Sequence, residues 1–99
     1  MVNIAILGFG TVGSGVAEVL TRNGGLIDGR VNNQVRLKYI MRARDIFEGP
    51  YKDLFVKDFS IIERDPEVSI VVETIGGVGA ALDYTTRALK AGKSVVTAN

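Results

Sequence analysis

Three glycines in the stretch AILGFGTVGSGVAEVL, residues 5–20, have a spacing that suits phosphate binding. Gly8, Gly10 and Gly13 form a G-x-G-x-x-G pattern between an apolar run and a helix-like run, which is typical of a dinucleotide-binding turn. In such a turn the first glycine permits the sharp bend, the second leaves the backbone open to a pyrophosphate, and the third lets helix and strand pack closely. The following helix offers free N–H groups and a partial positive charge to the phosphates.

The residues between these glycines would act mainly through their backbone. Phe9, Thr11 and Val12 present N–H groups in the same turn, and the Thr11 hydroxyl could add a hydrogen bond. No lysine follows the last glycine, which excludes a Walker-type nucleotide loop. Because 12 of the 99 residues are glycine, the alternative is a glycine-rich strand–helix turn that binds nothing.

The stretch MRARD, residues 41–45, follows the next strand-like run and concerns the choice of dinucleotide. Sites that prefer NAD usually carry Asp or Glu here, to bind the ribose hydroxyls. Arg42 and Arg44 occupy this region instead, and an arginine suits the 2′-phosphate of NADP through a charge-assisted contact. Arg44 is the candidate for this contact. The alternative is that these arginines are solvated surface charges, and this alternative is stronger for Arg42 than for Arg44. Asp45 keeps NAD use open.

The stretch ETIGG, residues 73–77, ends another apolar run. Open α/β sheets bind ligands at the carboxyl ends of their strands, so this segment is expected at the binding edge. Ile75, Gly76 and Gly77 would let the backbone approach the ribose and nicotinamide side of a dinucleotide, the alternative being a plain loop. Glu73 could be a candidate for acid–base chemistry, but it lacks a partner residue and is interpreted as structural or as a polar loop residue.

Composition excludes several other kinds of chemistry. The chain has no cysteine and no histidine, which removes disulfides, thiolate and histidine-base catalysis, and most zinc sites. A net charge of +1 gives no reason to expect binding to nucleic acid or to an anionic membrane. No run approaches the roughly 20 apolar residues of a membrane helix, and no signal peptide is evident. We therefore expect a cytoplasmic protein without a metal site.

The elements that must position these residues alternate between strand and helix. This alternation predicts an α/β fold, a Rossmann-like parallel sheet with helices on both faces. Residues 43–64 fit either type, and DLFVKDFSII within them could form a short strand or a helix. The predicted strands are 2–7, 34–41, 68–74 and 94–99, the helices 11–22 and 80–91, the turn 65–67 and the loops 26–33 and 76–79.

Apolar periodicity predicts which face of each helix is buried. In the first helix the buried residues would be Val12, Val16, Val19 and Leu20, with Asn23, Gly24 and Gly25 ending the helix. In the second helix they would be Ala81, Leu82, Thr85, Ala88 and Leu89, with Gly92 as the C-cap.

The last residue, Asn99, lies just after the apolar part of the last predicted strand. We therefore expect residues 1–99 to be part of an NAD(P)-binding domain whose sheet is truncated and whose substrate domain is absent. An incomplete sheet exposes an edge, so this part would pair with itself along that edge or be marginally stable.

Three stretches together resemble a known family. NIAILGFGTVGSGV, DPEVSIVVETIGG and ALKAGKSVVTAN are similar to the N-terminal nucleotide-binding domain of homoserine dehydrogenase. The closing stretch is the most specific, because members of that family run from such a strand into Thr-Ala-Asn-Lys. The resemblance implies a full-length enzyme of threonine and methionine biosynthesis that interconverts L-homoserine and L-aspartate 4-semialdehyde with NADP, NAD being possible.

The resemblance also implies roles for individual residues. Arg44 would contact the adenosine ribose or its 2′-phosphate. The family's catalytic lysine and acidic substrate ligands lie in a later domain, so no catalytic residue is expected here and this part alone would be inactive. The substrate would bind only with that domain, and the protein would be a homo-oligomer. The pyrophosphate would be held by Gly8, Phe9, Gly10, Thr11, Val12 and Gly13, and the nicotinamide side lined by Ile75, Gly76, Thr97 and Asn99.

Three other functions remain open at this point. The chain could belong to another dehydrogenase of small amino or hydroxy acids, which the residues of a substrate domain would distinguish. It could be a dinucleotide sensor that binds but turns nothing over. It could also be a structural domain with the same fold and no ligand, because fold alone does not determine function.

Overall fold

The described part of the chain forms one parallel sheet with helices on both faces, as the sequence predicts. The computed structural model describes residues 2–27, 35–42, 49–76 and 79–97. Five strands lie in the order β3-β2-β1-β4-β5, and every neighbouring pair is parallel. The elements are β1 (Val2–Leu7), α1 (Thr11–Ile27), β2 (Val35–Met41), β3 (Phe55–Val56), α2 (Phe59–Glu63), β4 (Val68–Glu73), α3 (Gly79–Lys90) and β5 (Ser94–Thr97).

Strand β1 is continuously apolar because both of its faces are covered. Its side chains alternate between the faces of the sheet, so Ile4 and Ile6 pack toward α1 while Ala5 and Leu7 pack toward α2 and α3. The chain builds β2 and β3 on one side of β1, then crosses to build β4 and β5 on the other. This reversal beside β1 is the position where doubly wound sheets bind their ligands.

Helix α1 differs from the prediction in its buried face and in its end. Gly13 and Ala17 face the sheet, with Val16 and Leu20 packed beside them. Val12 and Val19 were predicted to be buried but are about half exposed, because they lie one residue to the side of that stripe. The helix also continues to Ile27, through both glycines that were predicted to end it. Glycine permits a helix to end but does not force it to.

Helix α3 buries a narrower face than predicted. Ala81 and Ala88 are buried, whereas Leu82 and Leu89 are 62% and 56% exposed, contrary to the prediction. Each leucine follows a buried alanine by one residue, which rotates its side chain about 100° away from the sheet. The predicted cap at Gly92 is confirmed, because its φ is positive. The Lys93 N–H donates to the Ala88 carbonyl at 3.0 Å, so the helix ends in a Schellman motif.

The ambiguous region before β4 contains both kinds of element. Strand β3 extends the sheet beyond β2, and the five-residue helix α2 follows directly. Asp58 caps α2, accepting a hydrogen bond from the Ser60 N–H at 2.9 Å. The predicted turn at 65–67 leads into β4. The predicted loop at 76–79 is wrong at its last residue, because Gly79 belongs to α3, and residues 77 and 78 lie outside the described residues.

Candidate functional site

The glycine loop after β1 is held between the ends of two neighbouring strands. The Gly8 N–H donates to the Met41 carbonyl at the end of β2 at 2.9 Å, and the Thr74 N–H donates to the Leu7 carbonyl at the same distance. The carboxyl ends of β2, β1 and β4 therefore meet at one edge of the sheet. This edge positions the loop at the reversal in strand order.

Two of the three motif glycines are required by close contact. Gly8 has a φ of +96°, and a Cβ there would lie 2.8 Å from the Thr74 Oγ1. A Cβ at Gly13 would collide with the Gly8 carbonyl oxygen and lie 2.9 Å from the same Thr74 hydroxyl. Real Cβ atoms essentially never approach so closely, so any larger residue would displace the loop from the helix. Gly8 and Gly13 thus shape the turn, as the motif predicts.

Gly10 differs from the other two glycines because it faces open space. No heavy atom lies within 4 Å of the position that a Cβ would take at this residue. The Gly10 carbonyl accepts from the Ser14 N–H at 2.9 Å, which starts α1, and the first-turn N–H groups have no acceptor within the helix. An open backbone beside a helix N-terminus fits a pyrophosphate, since anions are stabilised there.

Phe9 fixes the loop from the side of β3. Its ring makes edge-on contacts with Tyr51 and Phe55, with centroid distances of 5.9 and 5.0 Å. The Arg42 guanidinium lies 6.0 Å from the centre of the same ring, and the Arg42 N–H donates to the Val56 carbonyl at 2.9 Å. Arg42 was the weaker candidate for the adenosine contact, yet the structure positions it next to the glycine loop.

The end of β4 forms the other half of the edge. The buried Glu73 carboxylate accepts a hydrogen bond from the Gly76 N–H at 2.7 Å, and Gly76 has a φ of +80°. Ile75 between them is exposed. Thr97, at the end of β5, lies opposite Glu73 in the strand register and is exposed as well. The predicted residues Ile75, Gly76 and Thr97 thus lie along one edge.

Thr74 is the residue that sequence reasoning missed. Its hydroxyl donates to the Leu7 carbonyl at 2.8 Å while filling the space against Gly8 and Gly13. A polar β-branched residue directly after an apolar strand is the only signal that could have indicated it. The predicted contacts Arg44 and Asn99, and Gly77 beside them, lie outside the described residues.

A family model described as the NAD-binding domain of homoserine dehydrogenase matches residues 8–99. The chain belongs to this homoserine dehydrogenase domain family. The cofactor of this domain is thus a nicotinamide dinucleotide. The homoserine dehydrogenase of Lactococcus lactis is 41% identical over 99% of this chain, and that of Corynebacterium glutamicum is 44% identical over the same share. The chain spans 24% and 22% of these two relatives.

Solved homoserine dehydrogenases share the fold closely. The Staphylococcus aureus enzyme aligns with a TM-score of 0.89 at 35% identity, over 99% of this chain and 26% of its own. The Thiobacillus denitrificans enzyme aligns with a TM-score of 0.80 at 33% identity, over 99% of this chain and 23% of its own. The resemblance read from the sequence and the Rossmann-like fold class are both confirmed.

Two further findings concern the helices and the acidic side chains of the described part of the chain. None of its helices is long and apolar enough to cross a membrane. Within the same residues, no group of acidic side chains is arranged to hold a metal ion. A hollow of about 470 Å³ lined by Asn3, Arg36, Pro66, Glu67 and Ser69 lies at the amino ends of the strands, opposite the edge where such sheets bind ligands.

Proposed function

We propose that this domain binds NADP, with NAD as the weaker ligand, as the cofactor-binding part of an enzyme that interconverts L-homoserine and L-aspartate 4-semialdehyde. The observation that carries the proposal is the contrast among the motif glycines: Gly8 and Gly13 are closed by protein atoms, while Gly10 is open. A turn that served only to connect strand and helix would need glycine at positions 8 and 13, where a Cβ would collide. It would not need glycine at position 10, where the space is open.

The proposed contacts follow the order of elements along the edge. The N–H groups of the glycine loop and of the first turn of α1 would bind the pyrophosphate. Arg44, with Arg42 beside the loop, would contact the adenosine ribose or its 2′-phosphate. Ile75, Gly76, Thr97 and Asn99 would line the nicotinamide side. When bound, the dinucleotide supplies the hydride chemistry, and this chain supplies binding and orientation.

The reaction itself requires residues beyond those described. No described residue is proposed as catalytic, since a lysine and carboxylates that act on the substrate are implied for another domain. We also propose that the enzyme is a homo-oligomer and that it is located in the cytoplasm.

The choice of dinucleotide can be tested by calorimetric titration of the full protein with NADP⁺ and NAD⁺. We expect tighter binding of NADP⁺, and we expect Arg44→Asp to weaken it about tenfold or more while leaving NAD⁺ nearly unchanged. Arg42→Asp, measured alongside, shows how the two arginines share the contact. Arg36→Asp is the matched control, because Arg36 is exposed at the opposite end of β2.

Two outcomes would contradict parts of this proposal. Equal affinities for NADP⁺ and NAD⁺ that neither arginine variant changes would exclude the proposed 2′-phosphate contact. Tight dinucleotide binding by a full protein that produces no reduced nicotinamide from homoserine would favour a sensor over an enzyme.

A further inference from the structure

Glu73 is a buried acidic residue at the proposed nicotinamide end of the site. It is 2% exposed, and the other buried charged residue in the described part of the chain is Lys93, which is 5% exposed. Burying a carboxylate is costly unless hydrogen bonds or opposite charges compensate for the lost water. A buried carboxylate at a ligand-binding edge therefore indicates a role for its charge or for its hydrogen bond.

Among the described residues, one hydrogen bond to the Glu73 carboxylate compensates for its burial. The Gly76 N–H donates it at 2.7 Å. Over the ranges that the structure describes, no lysine or arginine forms an ion pair with it. A neutral N–H donor stabilises the carboxylate but does not cancel its charge. The Glu73 carboxylate thus lies at the carboxyl edge of β4, beside the end of β5.

The strand register shows where this charge lies. Glu73 is paired with Leu7, the residue before the glycine loop, on one side and with Thr97 on the other. A dinucleotide that crosses the reversal in strand order extends from the β2 side over the glycine loop to the β4–β5 side. With the adenosine half at the arginines after β2, the nicotinamide half comes to the edge that contains Glu73.

We propose that the Glu73 carboxylate makes the site favour the oxidised dinucleotide over the reduced one. This inference rests on the proposed function, because it requires a bound nicotinamide dinucleotide. The oxidised nicotinamide ring carries a positive charge that the reduced ring lacks. A fixed negative charge in a buried, low-dielectric position attracts the first form and is indifferent to the second.

The hydrogen bond of Glu73 can be separated from its charge. A glutamine has nearly the same shape, and its side-chain oxygen can accept the Gly76 N–H in the same way. Glu73→Gln therefore keeps the loop in place and removes only the charge. A purely structural role predicts little change on this substitution, or an equal loss for both forms of the cofactor.

The experiment is a titration of the full protein and its Glu73→Gln variant with NADP⁺ and NADPH, repeated with NAD⁺ and NADH. We expect the variant to bind the oxidised form about tenfold more weakly and the reduced form nearly as before. Glu67→Gln is the matched control, because Glu67 precedes the other end of β4 and its side chain is 72% exposed. This control is expected to change neither affinity.

Each result separates the inference from the proposed function. An unchanged ratio of the two affinities in Glu73→Gln, or an equal loss of both, would overturn the inference while leaving dinucleotide binding intact. Failure of the wild-type protein to bind any of the four dinucleotides would overturn the proposed function itself. If Glu73→Gln does not fold, Glu73→Asp decides: it retains the charge and should retain the ratio within about twofold, and a collapsed ratio would contradict the role of the charge.

Discussion

The two edges of the sheet are built in different ways. At the carboxyl edge the backbone determines the shape: two glycines are closed by contact, a third is open, and main-chain N–H groups bind Met41 and Leu7 carbonyls across the strands. At the amino edge side chains determine it, around the turn before β4. The contrast distinguishes a carboxyl edge shaped by main-chain contacts around an open glycine from an amino edge shaped by contacts between side chains.

The amino edge is organised by Asp65. Its carboxylate accepts from the Tyr39 hydroxyl at 2.7 Å and pairs with the Lys38 ammonium at 2.6 Å. The hydrogen bond from Lys38 lowers the pKa of Asp65 to about 2, and the bond to Asp65 raises the pKa of Tyr39. The buried Lys93 ammonium donates to the Asp65 and Val68 carbonyls at 2.7 and 3.0 Å. Shifted pKa values often indicate a functional site, but here they belong to the contacts that hold a turn.

The largest expected effect comes from adding one carbon at the closed glycines. Gly13→Ala should lower the free energy of unfolding by about 3 kcal/mol, because its Cβ collides with the Gly8 carbonyl and packed interiors tolerate such crowding poorly. The matched control is Gly15→Ala in the same helix, where nothing lies within 4 Å of the new carbon. That control should be stabilising by about 0.5–1 kcal/mol, through helix propensity. Equal denaturation midpoints for the two variants would show that the contact does not constrain the fold.

The second largest effect is expected from a substitution at the amino edge. Lys93→Met should lower the free energy of unfolding by about 2 kcal/mol, because the buried Val68 carbonyl and the partly buried Asp65 carbonyl lose their donor. Dinucleotide affinity should stay the same, since the opposite edge is untouched. Lys90→Met, on the exposed face of α3, is the control for the loss of a positive charge. A Lys93→Met protein with wild-type stability and weakened binding would reverse the roles that we give to the two edges.

A smaller effect should be visible in the pH dependence of stability. The native pKa of Asp65 lies below its usual value, so the native state favours the ionised carboxylate. The resulting stabilisation is complete above about pH 4 and is lost as the pH falls toward 2. Because the group is near the surface, we expect it to amount to about 1 kcal/mol. Urea denaturation between these pH values should show a shallower decline for Asp65→Asn, and identical slopes would exclude the contribution.

The sequence predicts the strands and the glycine turn well, for a physical reason. A strand covered on both faces must be apolar throughout, as in β1 and β4, and such a run is visible without knowing its neighbours. The roles of Gly8 and Gly13 are likewise local, because the turn itself requires them. The resemblance to homoserine dehydrogenase added the family, which the comparison confirms.

The predictions that were wrong or incomplete concern features that depend on packing against other elements. Val12 and Leu82 fit a helical apolar stripe, but the orientation of each helix on the sheet leaves them exposed. The contact of Thr74 with the glycine loop depends on how β4 is aligned with β1, which no local pattern encodes. Arg42 approaches Phe9 because β2 lies beside β1, with Met41 paired with Leu7. Each of these features depends on residues distant in sequence.

The measurement that tests the central claim most directly is dinucleotide binding by Gly10→Ala in the full protein, with its thermal midpoint recorded alongside. A Cβ at Gly10 meets no protein atom, so we expect a midpoint within about 2 °C of wild type. The same carbon would occupy the space proposed for the pyrophosphate, and we expect affinity for NADP⁺ to fall at least about tenfold. Gly15→Ala should bind as the wild type does. Wild-type affinity in Gly10→Ala would contradict the claim that this open glycine receives the dinucleotide.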